Sequence, residues 1–225
     1  MQYFIALNHL GDYYEIGLFC EGLLVSSIKQ EKYSISKHAI SLIEQLLIGN
    51  NITVSDLQFI AINYGPGPFN TLRALVTIAN ALSFATKIPL IGINALALLT
   101  QQYNHSDAIV VALLNAYNQD VYYGFQNKND PLIIGCKPYT VLFAELKEQY
   151  PENCIHFIGQ GTVLYATEIS ALFNQQAYMP ALLPEFGSTA QLGAMALGKW
   201  NNNETVLQIT PLYLKQLQYK PALQN

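Results

Sequence analysis

The chain has 225 residues and 51% of them are hydrophobic, which is enough to bury a sizeable core in one large domain or two small lobes. Its net charge is −4 and its 11 lysines and arginines form no run, which excludes the basic surface of a protein that binds nucleic acid by itself. Three scattered cysteines, the absence of a signal-peptide pattern and the lack of a long apolar span predict a soluble cytoplasmic protein that does not enter membranes.

The first predicted elements are an antiparallel meander and a helix. Strand patterns cover Tyr3–Leu7, Tyr14–Phe19 and Leu23–Ser27, because turn residues separate these apolar runs. The hydrophobic period then changes to that of a helix over Ser36–Leu47, and the Gly-Asn-Asn sequence from Gly49 is a typical helix stop. A sheet covered by a helix is therefore predicted for the start of the chain.

A Gly-Pro turn is the most informative local feature of the sequence. It follows the buried strand Phe59–Asn63 and precedes the helix Thr71–Thr86, with Asn70 as the expected N-cap. A strand, a glycine-rich turn and a helix often bind an anion together, but Pro66 and Pro68 remove two of the backbone amides that would do so. As a ligand site the turn is therefore weak.

The second half of the chain repeats the opening pattern. The strand Ile109–Asn115 turns through Ala116–Gln119 and returns as Asp120–Phe125, which suggests an ancient duplication. The other predicted elements are strands at Pro89–Ile93, Ile155–Ile158 and Pro211–Leu214, and helices from Asn94 and at Thr140–Gln149, Thr162–Asn174 and Ser188–Trp200. We expect two α/β lobes, formed by residues 1–105 and by a smaller unit of residues 106–225.

Neutral side chains stand where a nucleotide enzyme of such an architecture needs carboxylates. In the duplicated actin-like fold (ASKHA, RNase H-like), the first hairpin of each lobe carries a carboxylate that faces the metal and phosphates of a nucleotide, because magnesium prefers anionic oxygen. The equivalent strand ends here are Asn8 and Asn115, while Asp12 and Asp120 are offset from them as ordinary turn residues. The sequence therefore predicts no catalytic residue, no metal ligand and no cofactor-binding residue.

The histidines and cysteines offer no alternative chemistry. Metal sites need three or four convergent ligands, and the four histidines His9, His38, His105 and His156 have no such spacing. Cys154 forms only a lone pair with His156, and the sequence contains no Gly-x-Ser-x-Gly elbow. These side chains are predicted to be structural.

The two long helices of the first lobe carry more apolar surface than one buried face requires. Two interpretations stay open, since the helices are either buried in their own lobe or share a face that binds a partner. Arg73 opposes the helix dipole in the first turn, so it is either a solvated side chain or an anchor for a partner. The candidate interface residues are His38, Leu42, Ile43, Leu46, Arg73, Leu75, Ile78 and Leu82.

Several segments match one family pattern in order along almost the whole chain. Residues 63–73 read Asn-Tyr-Gly-Pro-Gly-Pro-Phe-Asn-Thr-Leu-Arg, where the family typically has Gly-Arg-Gly-Pro-Gly-Ser-Phe-Thr-Gly-Leu-Arg. His38, Pro89–Asn94, Asp120–Tyr122 and Thr210–Lys215 also stand where the family has similar residues. The chain thereby resembles the TsaB (YeaZ) family, accessory subunits of the bacterial machinery that makes threonylcarbamoyladenosine in tRNA.

The resemblance implies a scaffold protein without catalysis. In that family the protein pairs with TsaD, which transfers the threonylcarbamoyl group to adenosine beside the anticodon, and the ATPase TsaE joins this pair. TsaC supplies the threonylcarbamoyl-adenylate. The resemblance also implies that tRNA is met only through the complex. Because exposed apolar surface favours association, the free chain could also form a homodimer through the same helices.

Departures from the family pattern do not affect a scaffold role. The family's Ser-Thr-Gly residues are replaced by Pro68, Asn70 and Thr71, and its two hairpin aspartates by Asn8 and Asn115. These changes argue further against nucleotide chemistry. The alternative function is an ATP-dependent phosphotransferase or a glycopeptidase-like hydrolase of the same superfamily, for which hairpin carboxylates would be the discriminating feature.

Overall fold

Two five-stranded sheets lie at the centre of the protein in a computed structural model, which describes residues 1–103, 108–127, 130–181 and 185–215, without the side chain of Gln102. The predicted boundary between the lobes, at residues 105 and 106, lies outside the described residues, as does His105. None of the described helices combines the length and hydrophobicity that crossing a bilayer requires.

The first sheet joins an antiparallel meander to two parallel strands. It contains β1 (Tyr3–Leu10), β2 (Tyr13–Cys20), β3 (Leu23–Glu31), β4 (Leu57–Asn63) and β5 (Leu90–Ile93). The spatial order is β3-β2-β1-β4-β5, and the pairs β1–β4 and β4–β5 are parallel. Parallel neighbours need crossover connections, which contain the helices α1 (Ile35–Gly49) and α2 (Phe69–Thr86).

The second sheet repeats this arrangement. It contains β6 (Ile109–Asn115), β7 (Asp120–Asn127), β8 (Ile133–Pro138), β9 (Ile155–Ile158) and β10 (Ala177–Tyr178). The order β8-β7-β6-β9-β10 again joins a meander to two parallel strands, which confirms the predicted duplicated α/β fold. The remaining helices are α3 (Ala95–Thr100), α4 (Tyr139–Gln149), α5 (Gln160–Leu164), α6 (Ala166–Phe173) and α7 (Thr189–Asn201).

Helix α7 packs on the first sheet, although it is the last helix in the described chain. The first sheet buries one face against α1 and α2 and the other against α7, where Trp200 stacks on Phe59 with ring centroids 5.0 Å apart. Helix α3 lies between the lobes, because Leu98 faces the first sheet while Leu96 and Leu99 face the second. Helix α7, from the second half of the chain, therefore contributes to the core around the first sheet.

Some predicted elements differ from those observed. The segment Pro211–Leu214 is wrongly predicted as a strand, since its extended backbone joins no ladder, and β8 is missing from the prediction. The predicted helix Thr162–Asn174 is interrupted at Tyr165, where φ is −114°. Helix α2 begins at Phe69, and its N-cap residue is Pro68, which forms no side-chain capping hydrogen bond. The prediction of Asn70 as the N-cap is therefore wrong. The fixed φ of a proline suits it to a helix start.

Candidate functional site

A cleft of about 590 Å³ separates the two lobes. The turn between β1 and β2, the Gly-Pro turn before α2 and the turn between β6 and β7 line it. Gln160, Glu185, Phe186 and Lys215 complete its walls. The hairpins that carry Asn8 and Asn115 thus meet at this cleft, as the duplicated fold predicts.

Asn8 is fully buried at the end of β1 and uses both ends of its amide. Its Nδ2 donates to the carbonyl oxygen of Gly187 at 2.8 Å and to the hydroxyl of Thr189 at 3.3 Å, while its Oδ1 accepts from Asn63 Nδ2 at 2.9 Å. Asn63 Oδ1 in turn accepts from the backbone amide of Gly65 at 3.2 Å. Buried polar groups are costly unless they are paired, so this network stabilises the strand ends.

This arrangement does not fit a magnesium ion at Asn8. The only atom of Asn8 that could ligate a metal, Oδ1, already accepts a hydrogen bond, and its Nδ2 donors point at a carbonyl oxygen. Within the described parts of the chain, no group of three or more acidic, histidine or cysteine residues could hold a metal ion. The residues present at the cleft therefore do not match the oxygen-rich site that magnesium requires.

Asn115 has a different role from Asn8, although the two residues occupy equivalent strand ends. Its Oδ1 accepts from the backbone amide of Tyr117 at 2.8 Å, which closes a local Asx turn. The three residues that follow Ala116 all have left-handed backbone angles, with φ of 59°, 55° and 64°. Asn115 therefore stabilises its own hairpin rather than a contact between lobes.

The two offset aspartates at the cleft are paired with lysines. Asp12 binds Lys32 at the exposed rim, and this bond raises the pKa of the lysine above its ordinary value. Asp120 binds Lys215, whose Nζ lies 2.8 Å from the carboxylate. The third lysine of the cleft, Lys29, lies over the ring of Tyr13. Asp12 lies in the turn between β1 and β2, as predicted, whereas Asp120 is the first residue of β7 rather than a turn residue.

His9 is buried beneath the Gly-Pro turn, a position that no local sequence pattern predicts. Burial lowers the pKa of His9 to about 4, and the neighbouring Asn63 acts weakly in the opposite direction, although neither ring nitrogen has a well-aligned hydrogen bond within the described residues. Its ring packs so closely on Gly67 that a Cβ there would lie 2.3 Å from Cε1. The cross-strand neighbour Tyr14 is also fully buried, and its hydroxyl lacks a partner among the described residues.

The described side chains of His38, Cys154 and His156 do not form a group that could hold a metal ion. His156 packs against the ring of Tyr178, and partial burial lowers its pKa. Cys154 is exposed in the loop before β9, and His38 is exposed on α1. These positions agree with the prediction of structural or solvated side chains.

The candidate interface residues on α1 and α2 divide into three groups. Ile43, Leu46 and Leu75 are buried in the core of their own lobe, because they lie on the helix faces that cover the first sheet. They supply core rather than accessible surface, which corrects their assignment to a partner face. Leu42, Ile78 and Leu82 are half-buried at the edge of the same core, and His38 and Arg73 are exposed.

A continuous face of α1 and α2 thus remains accessible. The two helices pack side by side, and Ala74, Ile78 and Leu82 follow one another at four-residue spacing along α2. The exposed surface of α2 combines small or polar residues, such as Thr77 and Ala81, with two aromatic residues, Phe69 and Phe84. Arg73 lies at one end of the face, with its guanidinium 5.0 Å from the ring centroid of Phe69.

Comparison with known proteins places this geometry in a family. The family model described as TsaD, tRNA N6-adenosine threonylcarbamoyltransferase, matches residues 31–177. The tRNA threonylcarbamoyladenosine biosynthesis protein TsaB of Bacillus subtilis is 25% identical over 187 residues, which cover 82% of this chain and 81% of that protein. The TsaB protein of Buchnera aphidicola from Schizaphis graminum is 27% identical over 131 residues, which are 57% of this chain and 62% of that protein.

Solved structures support the same assignment at the level of the fold. YeaZ from Pseudomonas aeruginosa superposes with a TM-score of 0.71 and 23% identity, covering 95% of this chain and all of that one. A protein of unknown function with an actin-like ATPase fold from Bacteroides thetaiotaomicron has a TM-score of 0.51 and 7% identity, covering 87% and 96%. With a family model that spans well over half of its length and relatives named TsaB, the chain belongs to the TsaB (YeaZ) family, within the wider family that the TsaD model describes.

Proposed function

We propose that this protein is a non-catalytic subunit of the machinery that makes threonylcarbamoyladenosine in tRNA. In this proposal it binds TsaD, and it supports the transferase reaction by stabilising its partner rather than by chemistry of its own. TsaE joins the pair, tRNA is met only through the complex, and the location is the cytoplasm, where tRNA modification takes place. Relatives named for this biosynthesis support the proposal.

The observation that carries the proposal is the accessible face of α1 and α2. Leu42, Ile78 and Leu82 are apolar yet half-exposed on two neighbouring helices, next to small side chains that permit close approach of another helix. A related protein with the same two helices would present a similar face, so a pseudo-symmetric four-helix contact would bury both. A homodimer of the free chain would use the same surface.

The cleft supports a non-catalytic role. A nucleotide enzyme on this frame needs anionic oxygen at both hairpins, whereas Asn8 is bound into a structural network and Asn115 into its own turn. The alternative, an ATP-dependent phosphotransferase or a glycopeptidase-like hydrolase, would need ligands that these two residues do not offer. Turnover of ATP by the purified chain alone would favour that alternative.

Titration of the host's own TsaD with variants of this chain tests the proposal. Leu42→Glu and Leu82→Glu each place a charge at the centre of the face, where an unpaired buried charge costs about 3 kcal/mol or more, equivalent to roughly a 100-fold loss of affinity. The matched control is Leu172→Glu on α6 of the second lobe, which is 39% exposed and should leave the affinity within about twofold.

Two results would contradict the proposal in different ways. If the unmodified chain does not co-purify with TsaD, the partner is wrong. If the unmodified chain binds TsaD and Leu42→Glu, Leu82→Glu and Leu172→Glu all bind with the same affinity as it does, TsaD is the partner but the interface lies elsewhere. Circular dichroism of each variant must show the fold of the unmodified chain.

A further inference from the structure

We propose that Asn8 is a positioning residue that fixes the two lobes in one relative orientation. Together with Asn63, Gly187 and Thr189 it forms what we call the interlobe lock. The lock sits where the described chain returns from the second lobe to the first. It does not depend on any partner protein, so it is a property of the free chain.

The returning segment is held at both of its ends. The carbonyl oxygen of Glu185 accepts from the backbone amide of Gln160 at 3.0 Å, which ties it to the start of α5 in the second lobe. Two residues later, the carbonyl oxygen of Gly187 accepts from Asn8 Nδ2 at 2.8 Å, which ties it to β1 in the first lobe. A segment this short cannot absorb a change in lobe orientation without breaking one of the two bonds.

The returning segment is closely packed against α3 and the first hairpin. A Cβ at Gly187 would lie 2.2 Å from Leu98 on α3, so only glycine lets the backbone approach this helix. Phe186 packs in the apolar cluster between α3 and the second sheet, and its ring also contacts Gly11 in the first hairpin. The segment therefore contacts both lobes at once.

On the first lobe the lock rests on rigid elements. Asn63 at the end of β4 supports Asn8, and the Thr189 hydroxyl at the start of α7 donates to the Glu15 carboxylate on β2 at 2.5 Å. Three strands and one helix thus hold the same group of side chains. Hinge opening of the cleft would leave buried amide groups without hydrogen-bond partners, which is energetically unfavourable.

The C-terminal part of the described chain restrains the lobes at a second place. The backbone amide of Leu212 donates to the carbonyl oxygen of Tyr64 in the first lobe at 2.9 Å. Three residues later, Lys215 Nζ donates to the carbonyl oxygen of Ala116 in the second lobe at 2.8 Å and binds Asp120. Because the restraints lie at separate positions, a simple hinge about either one is blocked by the other.

Distance measurements between spin labels on the two lobes test the lock. The labels are attached to cysteines introduced by Gln45→Cys on α1 and Glu148→Cys on α4, both exposed, in a chain whose three native cysteines are replaced by serine. We expect one narrow distance distribution for the parent chain and a distribution at least about twofold broader for Asn8→Ala. The matched control is Asn115→Ala, which removes the same side chain from the equivalent strand end and should leave the width unchanged.

A second measurement needs no variant and covers the case in which Asn8→Ala does not fold. The backbone amide of Gln160 donates to the carbonyl oxygen of Glu185 in the returning segment. In the unmodified chain this amide should therefore exchange with deuterium only through global unfolding, with the same denaturant dependence as the amides of β1. The proposal is overturned if Asn8→Ala keeps the parent width, if Asn115→Ala broadens it equally, or if Gln160 exchanges through a low-energy opening while β1 stays protected.

Discussion

Acidification should destabilise this protein through His9. The side chain is buried beneath Gly67, and burial lowers its pKa to about 4, whereas an unfolded chain would titrate it near the ordinary value of about 6.5. The folded state therefore holds the imidazole neutral, and the unfolded state binds a proton as soon as the pH falls below about 6.5. Stability from this group is fully present above that pH and is lost progressively as the pH falls toward 4.

The size of the effect follows from the two pKa values. Linkage gives a loss of about 1.4 kcal/mol at pH 5.5 and about 2.5 kcal/mol at pH 4.5, relative to neutral pH. Below about pH 4 the loss levels off, because the imidazole is then charged in both states. A domain with a stability of about 5–15 kcal/mol would lose a substantial fraction of it.

Urea unfolding followed by circular dichroism at pH 7.5, 5.5 and 4.5 measures this effect. We compare the unmodified chain with His9→Leu, which cannot titrate. The difference in unfolding free energy between these two proteins should change by about 2.5 kcal/mol from pH 7.5 to pH 4.5. Equal pH profiles for the two proteins would show that His9 is not held neutral by the fold.

Two further substitutions test the packing around the first hairpin. Asn8→Asp should destabilise by about 3–5 kcal/mol at neutral pH, because a buried carboxylate would face the carbonyl oxygen of Gly187, and calorimetry should detect no gain of magnesium–ATP binding. The loss should shrink toward pH 4, where the introduced carboxyl is protonated and can donate. Gly67→Ala should lower the free energy of unfolding by about 1–3 kcal/mol, because the added methyl group clashes with His9. The matched control Gly198→Ala on α7 meets nothing within 4 Å and should raise it by about 0.5–1 kcal/mol. Thermal melts measure both changes.

The strands that cover a buried face could be predicted because their sequence signal is local. Runs such as Ile109–Asn115 are continuously apolar and bounded by turn residues, so their type follows from composition alone. β8 was missed because no residue of Ile133–Pro138 is fully buried and the strand carries only a weak alternation. At the break between α5 and α6, Tyr165 stacks on Tyr139, a distant contact that no local pattern reveals.

The accessible face of α1 and α2 was only partly predictable. Periodicity identifies apolar residues on a helix, but it cannot tell which of two adjacent stripes meets the sheet. On α1, Ile43 and Leu46 face the core, Leu42 lies at its edge and Ile40 is exposed, and this choice depends on how the helix is rotated on β2 and β3. On α2, the orientation of the helix buries Leu75 completely and leaves Ile78 at the edge of the core.

Asn8 and Asn115 show why equivalent positions in a duplicated fold need not be equivalent in chemistry. Asn115 faces its own hairpin and accepts one backbone bond there, whereas Asn8 faces the segment that returns from the second lobe. An ionised aspartate at that position could only accept, and it would repel the carbonyl oxygen of Gly187. The amide supplies the donor that this contact needs. The residue that stands where a metal ligand is expected in the first lobe is thus, in our proposal, also the residue that holds the returning segment against that lobe.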